Sequence, residues 1–184
     1  MDIIKSKVIN IKTEILYRSA EDDFFYFNKI NSAYKKLKEA VLLTPHHLKS
    51  IILLADITFI KGFIQKALDL YLKAEKLNAN NPKILAALAN CFSMLGDYSN
   101  AILYCNKAIF LFNKENYALL EQVFEIKLKI LMLQKEYNLA YETLKNAKKI
   151  LNIPSVKSGY DLTYKILNKK INRQKIKKSK LKIV

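Results

Sequence analysis

The sequence has few residues that break helices and few cysteines. Among its 184 residues are 3 Gly, 3 Pro, 2 Cys and no Trp. Scarce Gly and Pro, together with abundant Leu, Ile, Lys and Ala, favour helix throughout the chain. The two cysteines, Cys91 and Cys105, are too few for a disulfide framework and lack the spacing of metal ligands. We therefore expect an all-helical protein in which both thiols are reduced and buried on neighbouring helices.

Patterns that support catalysis or metal binding are scarce as well. The two histidines, His46 and His47, adjoin each other after Pro45 in a predicted loop. Neighbouring loop residues give no metal geometry without further ligands, so we expect both to face solvent. No glycine-rich phosphate loop is present. The sequence predicts that the protein is not an enzyme and uses no cofactor, metal or small-molecule substrate.

Long apolar runs are also absent from the sequence. Residues 1–12 interleave apolar and charged side chains, unlike the unbroken apolar core of a secretory signal. The most apolar run, residues 51–60, is interrupted by Asp56 and is too short to span a bilayer. We expect a soluble protein located in the cytoplasm.

The sequence does contain a 34-residue pattern that occurs twice in succession, in residues 48–81 and 82–115. Small residues coincide when the two segments are aligned. The aligned pairs are Ala55 with Ala89, Gly62 with Gly96, Ala67 with Ala101, and Ala74 with Ala108. A fixed period of this size indicates a stack of helical repeats.

The recurring small residues have a physical explanation. Two antiparallel helices that pack closely need shallow positions where they cross. Gly96 can adopt the left-handed conformation that ends the first helix, and Asp97 can cap the second. This order of a small residue, a turn glycine and two alanines seven apart resembles the tetratricopeptide repeat (TPR). The resemblance implies an all-α, right-handed solenoid of helical hairpins that binds another protein.

Two less regular copies of the pattern flank the clear ones. Residues 14–47 keep both alanines of the second helix, but Asn28 replaces the turn glycine. Glu21 stands where a small residue is expected, which predicts a looser helix crossing. Residues 121–154 form a fourth copy, displaced by five residues from strict periodicity. We interpret residues 116–120 as an extra turn that lengthens the first helix of this copy.

Both ends of the chain lie outside the four predicted repeats. Residues 1–13 form an N-terminal extension that either lengthens the first helix or stays loose. Residues 155–172 are predicted to form a capping helix, since exposed repeat ends need a cover. Its apolar residues are Leu162, Tyr164, Ile166 and Leu167. Residues 173–184 are predicted to form a basic tail.

By analogy with TPR proteins, the inward sides of the first helices form a concave groove. A contiguous apolar surface with scattered charges is typical of peptide binding by an adaptor or chaperone-like scaffold. The alternative is that several of these side chains only pack between helices. The candidate groove residues are Arg18, Asp22, Phe25, Tyr26, Ile52, Asp56, Phe59, Ile60, Lys83, Asn90, Met94, Lys129, Met132 and Leu133.

Two subtypes of TPR protein can be compared with these residues. A carboxylate clamp for chaperone C-termini is not expected, because Asp22 would repel a carboxylate and Leu53 cannot donate a hydrogen bond. The apolar groove and small size more closely resemble the three-repeat chaperones of type III secretion systems, which shield hydrophobic translocator segments. The strong basic charge is unlike those chaperones.

The formal net charge of +16 comes from 30 Lys and 2 Arg against 16 acidic residues. Two explanations stay open, attraction to an anionic partner and the lysine excess that AT-rich codons produce. Tail lysines could neutralise phosphates in salt-dependent nucleic-acid binding, which is the alternative function, or contact an anionic membrane. The candidate residues are Lys169, Lys170, Arg173, Lys175, Lys177, Lys178, Lys180 and Lys182.

Overall fold

The structure, a computed structural model, describes residues 2–111, 117–151 and 163–174. These residues form helices joined by short turns, with no strand among them. The helices are α1 (Asp2–Phe25), α2 (Ile30–Leu43), α3 (Leu48–Ile60), α4 (Ile64–Leu77), α5 (Pro82–Met94), α6 (Tyr98–Phe110), α7 (Tyr117–Leu133), α8 (Tyr137–Leu151) and α9 (163–174). Connections of three or four residues reverse the chain within each of the first three pairs. The all-helical, repeat-type fold predicted from the sequence is confirmed.

The small residues lie at the helix crossings, as predicted. Ala55 and Ala89 on the first helices are fully buried. The alanines of the second helices are buried as well, and they are Ala33, Ala40, Ala67, Ala74, Ala101, Ala108, Ala140 and Ala147. Larger side chains at these positions would push the helices apart at a cost of about 1–3 kcal/mol each. The repeated alanines therefore set how closely consecutive helices approach.

The turns within the helix pairs use the left-handed backbone conformation. Gly62 and Gly96 have φ angles of 81° and 80°, and Asn28 has a φ of 51°. Lys135, at the corresponding place between α7 and α8, has a φ of 61° although its side chain disfavours this conformation. The predicted cap is confirmed, because the Asp97 carboxylate accepts a 3.1 Å hydrogen bond from the backbone N–H of Asn100.

The prediction of a looser helix crossing at Glu21 is wrong, because a small residue does occupy the crossing of the first helix pair. The fully buried residue is Ala20, which joins Ala33 and Leu37 in one apolar cluster. Ala20 precedes Asn28 by eight residues, whereas Ala55 precedes Gly62 by seven. One additional residue therefore lies between the crossing and the turn. Each crossing or groove position on α1 is thus one residue earlier than the 34-residue period predicts.

The first helices of the two outer pairs are longer than those of the inner pairs. Residues 2–13 belong to α1, so the N-terminal extension lengthens the first helix. Helix α7 begins at Tyr117 and has 17 residues, against 13 in α3 and in α5. This length agrees with the extra turn expected before Glu121.

The two cysteines lie within the central apolar cluster, as predicted. Cys91 on α5 and Cys105 on α6 are buried and free. Burial raises the pKa of the Cys91 thiol to about 12, and the nearby Asp56 carboxylate adds to the shift. Burial also raises the pKa of Cys105 to about 12, against the opposing charge of Lys127. Both thiols therefore stay protonated and unreactive at neutral pH.

Helix α9 packs on the last helix pair. Leu167 is fully buried in the cluster that α7 and α8 form, and Tyr164 packs at its edge with its hydroxyl bonded to that of Tyr141. Ile166 is exposed. Leu162, like the rest of 152–162, lies outside the described residues. A helix that covers the end of the repeat stack is thus present at 163–174.

Helix α9 extends two residues into the predicted basic tail. Helix α9 carries Lys169, Lys170 and Arg173. Its last two residues lie beyond the predicted helix end at 172. The Lys170 ammonium lies 5.1 Å from the centre of the Tyr137 ring, a cation–π contact that helps to hold the helix. The remaining candidates lie outside the described residues, and they are Lys175, Lys177, Lys178, Lys180 and Lys182.

Candidate partner-binding groove

The centre of the candidate groove is a cavity of about 240 Å³ between α3, α4, α5 and α7. Four of the candidate groove residues lie together here, namely Ile52, Asp56, Lys83 and Asn90. The other lining residues are Tyr71, Ala86, Ala87, Leu119, Gln122 and Ile126. Five of the ten lining residues are small or aliphatic and five are polar, so apolar wall and converging polar groups are combined, as is typical of ligand sites.

Asp56 is the acidic group of the central cavity. Its Oδ1 accepts a 2.5 Å hydrogen bond from the hydroxyl of Tyr71 on α4. Burial raises the pKa of Asp56, while the Tyr71 bond and the charge of Lys83 oppose the shift. Burial also raises the pKa of Tyr71, so this hydroxyl stays a donor at neutral pH. The cavity therefore presents a half-buried carboxyl group whose position the core fixes.

A row of exposed apolar side chains follows the C-terminal ends of the first helices. Because the first helices run in the same direction, these ends lie along one edge of the repeat stack. The row consists of Phe25, Tyr26, Ile60, Met94 and Leu133, each between 56% and 79% exposed. All five are candidate groove residues. Phe59, a further candidate, is half-buried and packs against the central cluster instead.

Two of the candidates on α1 lie beside a separate, polar hollow. Arg18 and Asp22 line it together with Glu14, Tyr17, Glu21 and Lys49, and its volume is about 410 Å³. Because of the shifted register, Tyr17 and Glu21 hold the positions that Ile52 and Asp56 hold on α3. The Tyr17 hydroxyl donates a 2.7 Å hydrogen bond to Glu21. Neither residue is among the groove candidates predicted from the sequence, although the position of Ala20 indicates the shift.

The candidates on α7 do not line the central cavity. Lys129 is exposed, and Met132 packs against the last apolar cluster. Leu119, Gln122 and Ile126 reach the cavity in their place. Leu119 belongs to the additional first turn of α7, which brings earlier residues of this helix towards α5. The sequence predicted the extra turn but not this consequence.

Leu53 lies inside the protein rather than on the groove. It is 5% exposed and belongs to the apolar cluster of the first two helix pairs. It therefore cannot meet a ligand, which agrees with the expectation that no carboxylate clamp is formed.

One of the two histidines differs from the prediction. His46 is exposed, but His47 is half-buried and its Nδ1 lies 2.7 Å from the Ser50 hydroxyl. The His47 Nε2 is 3.4 Å from a Glu14 carboxylate oxygen. His47 therefore joins the loop before α3 to α1. Within the residues that the structure describes, no three His, Cys, Asp or Glu side chains are grouped as metal ligands.

No family-level sequence profile matches the chain, and no curated protein matches it. Solved structures do resemble it. The Yersinia enterocolitica type III secretion chaperone SycD, in complex with a peptide of the translocator YopD, is 19% identical with a TM-score of 0.61, over 66% of this chain and 93% of SycD. Pseudomonas aeruginosa PilF is 17% identical with a TM-score of 0.68, over 90% of this chain and 71% of PilF.

A third similar structure is TTC0263, a thermophilic TPR protein of Thermus thermophilus. It is 16% identical, with a TM-score of 0.60 over 84% of this chain and 80% of TTC0263. Among the described residues, no helix is both long enough and apolar enough to cross a membrane. The agreement with TTC0263 in fold, together with the alanines and turns of the helix pairs, shows that the chain has the TPR-type repeat fold.

Proposed function

We propose that this protein is an adaptor or chaperone-like scaffold that binds a peptide or helix segment of another protein in its groove. The observation that carries the proposal is the row of Phe25, Tyr26, Ile60, Met94 and Leu133 at one edge of the repeats. Exposed apolar side chains that recur along one edge in this way are typical of interaction surfaces. Met and aromatic side chains also adapt well to different partner segments.

The comparisons support this class of function. SycD, which shares the fold, binds a peptide of its translocator, and a TPR-type scaffold is the common feature of the similar structures. A hydrophobic translocator-like segment is therefore the finer candidate for the partner. The apolar row would take apolar side chains of that segment, and Asp56 would accept a hydrogen bond from it inside the central cavity.

The experiment first identifies a partner by capture on the wild-type protein and then measures its affinity for purified variants. Met94→Glu and Ile60→Glu place a charge in the row. We expect each to weaken binding by at least about tenfold, because burying an unpaired carboxylate costs more than about 1.4 kcal/mol.

Leu42→Glu is the matched control for this experiment. Leu42 is 81% exposed in the last turn of α2, at the opposite edge of the repeats. We expect its variant to bind as the wild type does. Equal losses for Leu42→Glu and Met94→Glu would show that the row does not form the binding surface.

The nucleic-acid alternative depends on lysines of which five lie outside the described residues, so it stays a prediction. Deleting residues 175–184 and measuring RNA binding over a salt series would test it, since each lost phosphate contact reduces the salt dependence. A cytoplasmic location likewise stays a prediction.

A further inference from the structure

The first part of α1 extends beyond its partner helix. Thr13 on α1 lies level with the end of α2, because its hydroxyl is 2.7 Å from that of Thr44, which follows Leu43. Residues 4–12 are exposed on every side. A short helical segment without packing is only marginally stable in water. This segment therefore gains stability from any partner that covers its apolar side.

Four exposed apolar side chains form one stripe along this segment, and we call it the α1 stripe. It consists of Ile4, Val8, Ile11 and Ile15, each between 59% and 70% exposed. Their spacing of four, three and four residues is the a and d pattern of a coiled coil. Thr13 is buried on the opposite side of the helix, so the stripe faces away from the rest of the protein.

The charges beside the α1 stripe favour an antiparallel over a parallel second copy of the same helix. Lys7 and Glu14 flank one side of the stripe, and Lys5 and Lys12 flank the other. In an antiparallel pair, Lys7 faces Glu14 of the second copy twice and Lys5 faces Lys12 of the second copy twice, so two attractive contacts accompany two repulsive ones. In a parallel pair, Lys7 faces Lys12 of the second copy twice, and no attractive contact among these charges offsets the repulsion. Within its own chain Lys12 lies 2.8 Å from Glu39, which weakens its repulsion in either orientation, and Glu14 lies 3.0 Å from Arg18.

The apolar side chains fit the same arrangement. An antiparallel pair centred between Val8 and Ile11 places each Val8 against Ile11 of the second copy, and each Ile4 against Ile15. Each of the four stripe residues then packs against a stripe residue of the second copy, as in an isologous interface with two-fold symmetry. A stripe confined to the a and d positions is the narrow seam of a coiled coil. A helix on a membrane surface presents a wider apolar face.

We propose that the α1 stripe is a docking surface for a second copy of this chain, with the two α1 helices antiparallel. This inference does not rest on the proposed function, because the stripe shares no residue with the row or the central cavity, although Glu14 beside the stripe also lines the polar hollow on α1. The resulting dimer carries two grooves.

Sedimentation over a range of concentrations tests the proposal with the full chain. We expect the wild type to dimerise and Ile11→Lys to raise the dimer dissociation constant by at least about tenfold, because the dimer buries this position twice. Ile9→Lys is the matched control, since Ile9 lies off the stripe and is 40% exposed. It should dimerise as the wild type does. Circular dichroism checks that each variant stays helical.

Orientation is tested separately. Lys7→Glu should weaken an antiparallel dimer, since it places two carboxylates together, but strengthen a parallel one. A mixture of Val8→Cys and Ile11→Cys chains should form a mixed disulfide faster than either variant links to itself. Cys91 and Cys105 are buried and do not interfere.

Three results would overturn the proposal. The first is a wild type that stays monomeric at every soluble concentration. The second is a dimer that Ile11→Lys leaves unchanged. The third is a monomeric wild type that binds anionic phosphatidylserine vesicles through the stripe, with binding lost in Ile11→Lys, because the occupant is then a membrane.

Discussion

The Tyr71 hydroxyl and the Asp56 carboxylate join α4 to α3 through a 2.5 Å hydrogen bond at the wall of the central cavity. Tyr71 is 4% exposed, so packing in the core fixes the position of its hydroxyl. A hydrogen bond in such low-dielectric surroundings is stronger than one in water. The polar centre of the groove is therefore part of the packing between a first and a second helix.

Removing the Tyr71 hydroxyl should destabilise the protein. Tyr71→Phe leaves Asp56 half-buried without its donor, which costs about 1–3 kcal/mol of unfolding free energy. Urea denaturation measures the change. Tyr26→Phe removes a hydroxyl from a side chain that is 79% exposed and serves as the control. A Tyr71→Phe midpoint equal to that of Tyr26→Phe would contradict this role of the bond.

The raised pKa of Asp56 predicts how Asp56→Asn depends on pH. Burial favours the protonated carboxyl in the folded state. The stability that Asp56 contributes is therefore fully present below its ordinary pKa and is lost as the pH rises through the raised value. Asp56→Asn does not titrate, so the free energy of unfolding of the variant relative to the wild type should increase from about pH 3 to pH 7. Denaturation at several pH values measures this difference, and a decrease would refute the assignment.

Substitutions at two turn residues, Gly96 and Lys135, should change the stability of the protein in opposite directions. A Cβ added to Gly96 meets no atom within 4 Å, so Gly96→Ala costs only the backbone strain of φ 80°, about 1 kcal/mol. Lys135→Gly removes the same strain at φ 61° and should stabilise by a similar amount. Thermal unfolding of the two variants checks both signs. Destabilisation by Lys135→Gly would mean that its side chain has contacts worth more than the strain.

The cysteines should resist alkylation until the protein unfolds. A pKa of about 12 for Cys91 and for Cys105 leaves about a thousandfold less thiolate at pH 8 than an ordinary thiol has. Reaction with iodoacetamide, followed by mass spectrometry in buffer and in guanidinium, measures the difference. Rapid labelling of the folded protein would show that the thiols are not held in the core.

The parts of the fold that the sequence predicted correctly are those that depend on local spacing. Ala67 and Ala74 lie on one side of a helix because they are seven residues apart, and Gly62 ends a helix because its backbone tolerates a positive φ. The burial of the Cys91 and Cys105 thiols on neighbouring helices was predicted from the same periodicity. Each of these features needs only residues within one repeat.

The features that the sequence did not predict depend on contacts between elements. Nothing in the spacing shows that Tyr71 bonds to Asp56, since the two side chains are 15 residues apart on different helices. Lys135 adopts a turn conformation that its residue type disfavours, because the packing of α7 on α8 fixes the turn. Arg173 was predicted to belong to the charged tail. It lies instead on α9, which Leu167 anchors against α7 and α8.

The docking of α9 predicts that Leu167→Ala will loosen the last repeat more than the others. Leu167 is 0% exposed, and its truncation should cost about 2–5 kcal/mol locally. Because a repeat stack is stabilised by contacts between neighbours, the effect should be largest in α7 and α8 and smallest in α3 and α4. Amide hydrogen exchange resolves this gradient. Ile166→Ala, at a neighbouring exposed position, should change exchange little, and uniform loosening by Leu167→Ala would argue against a local cap.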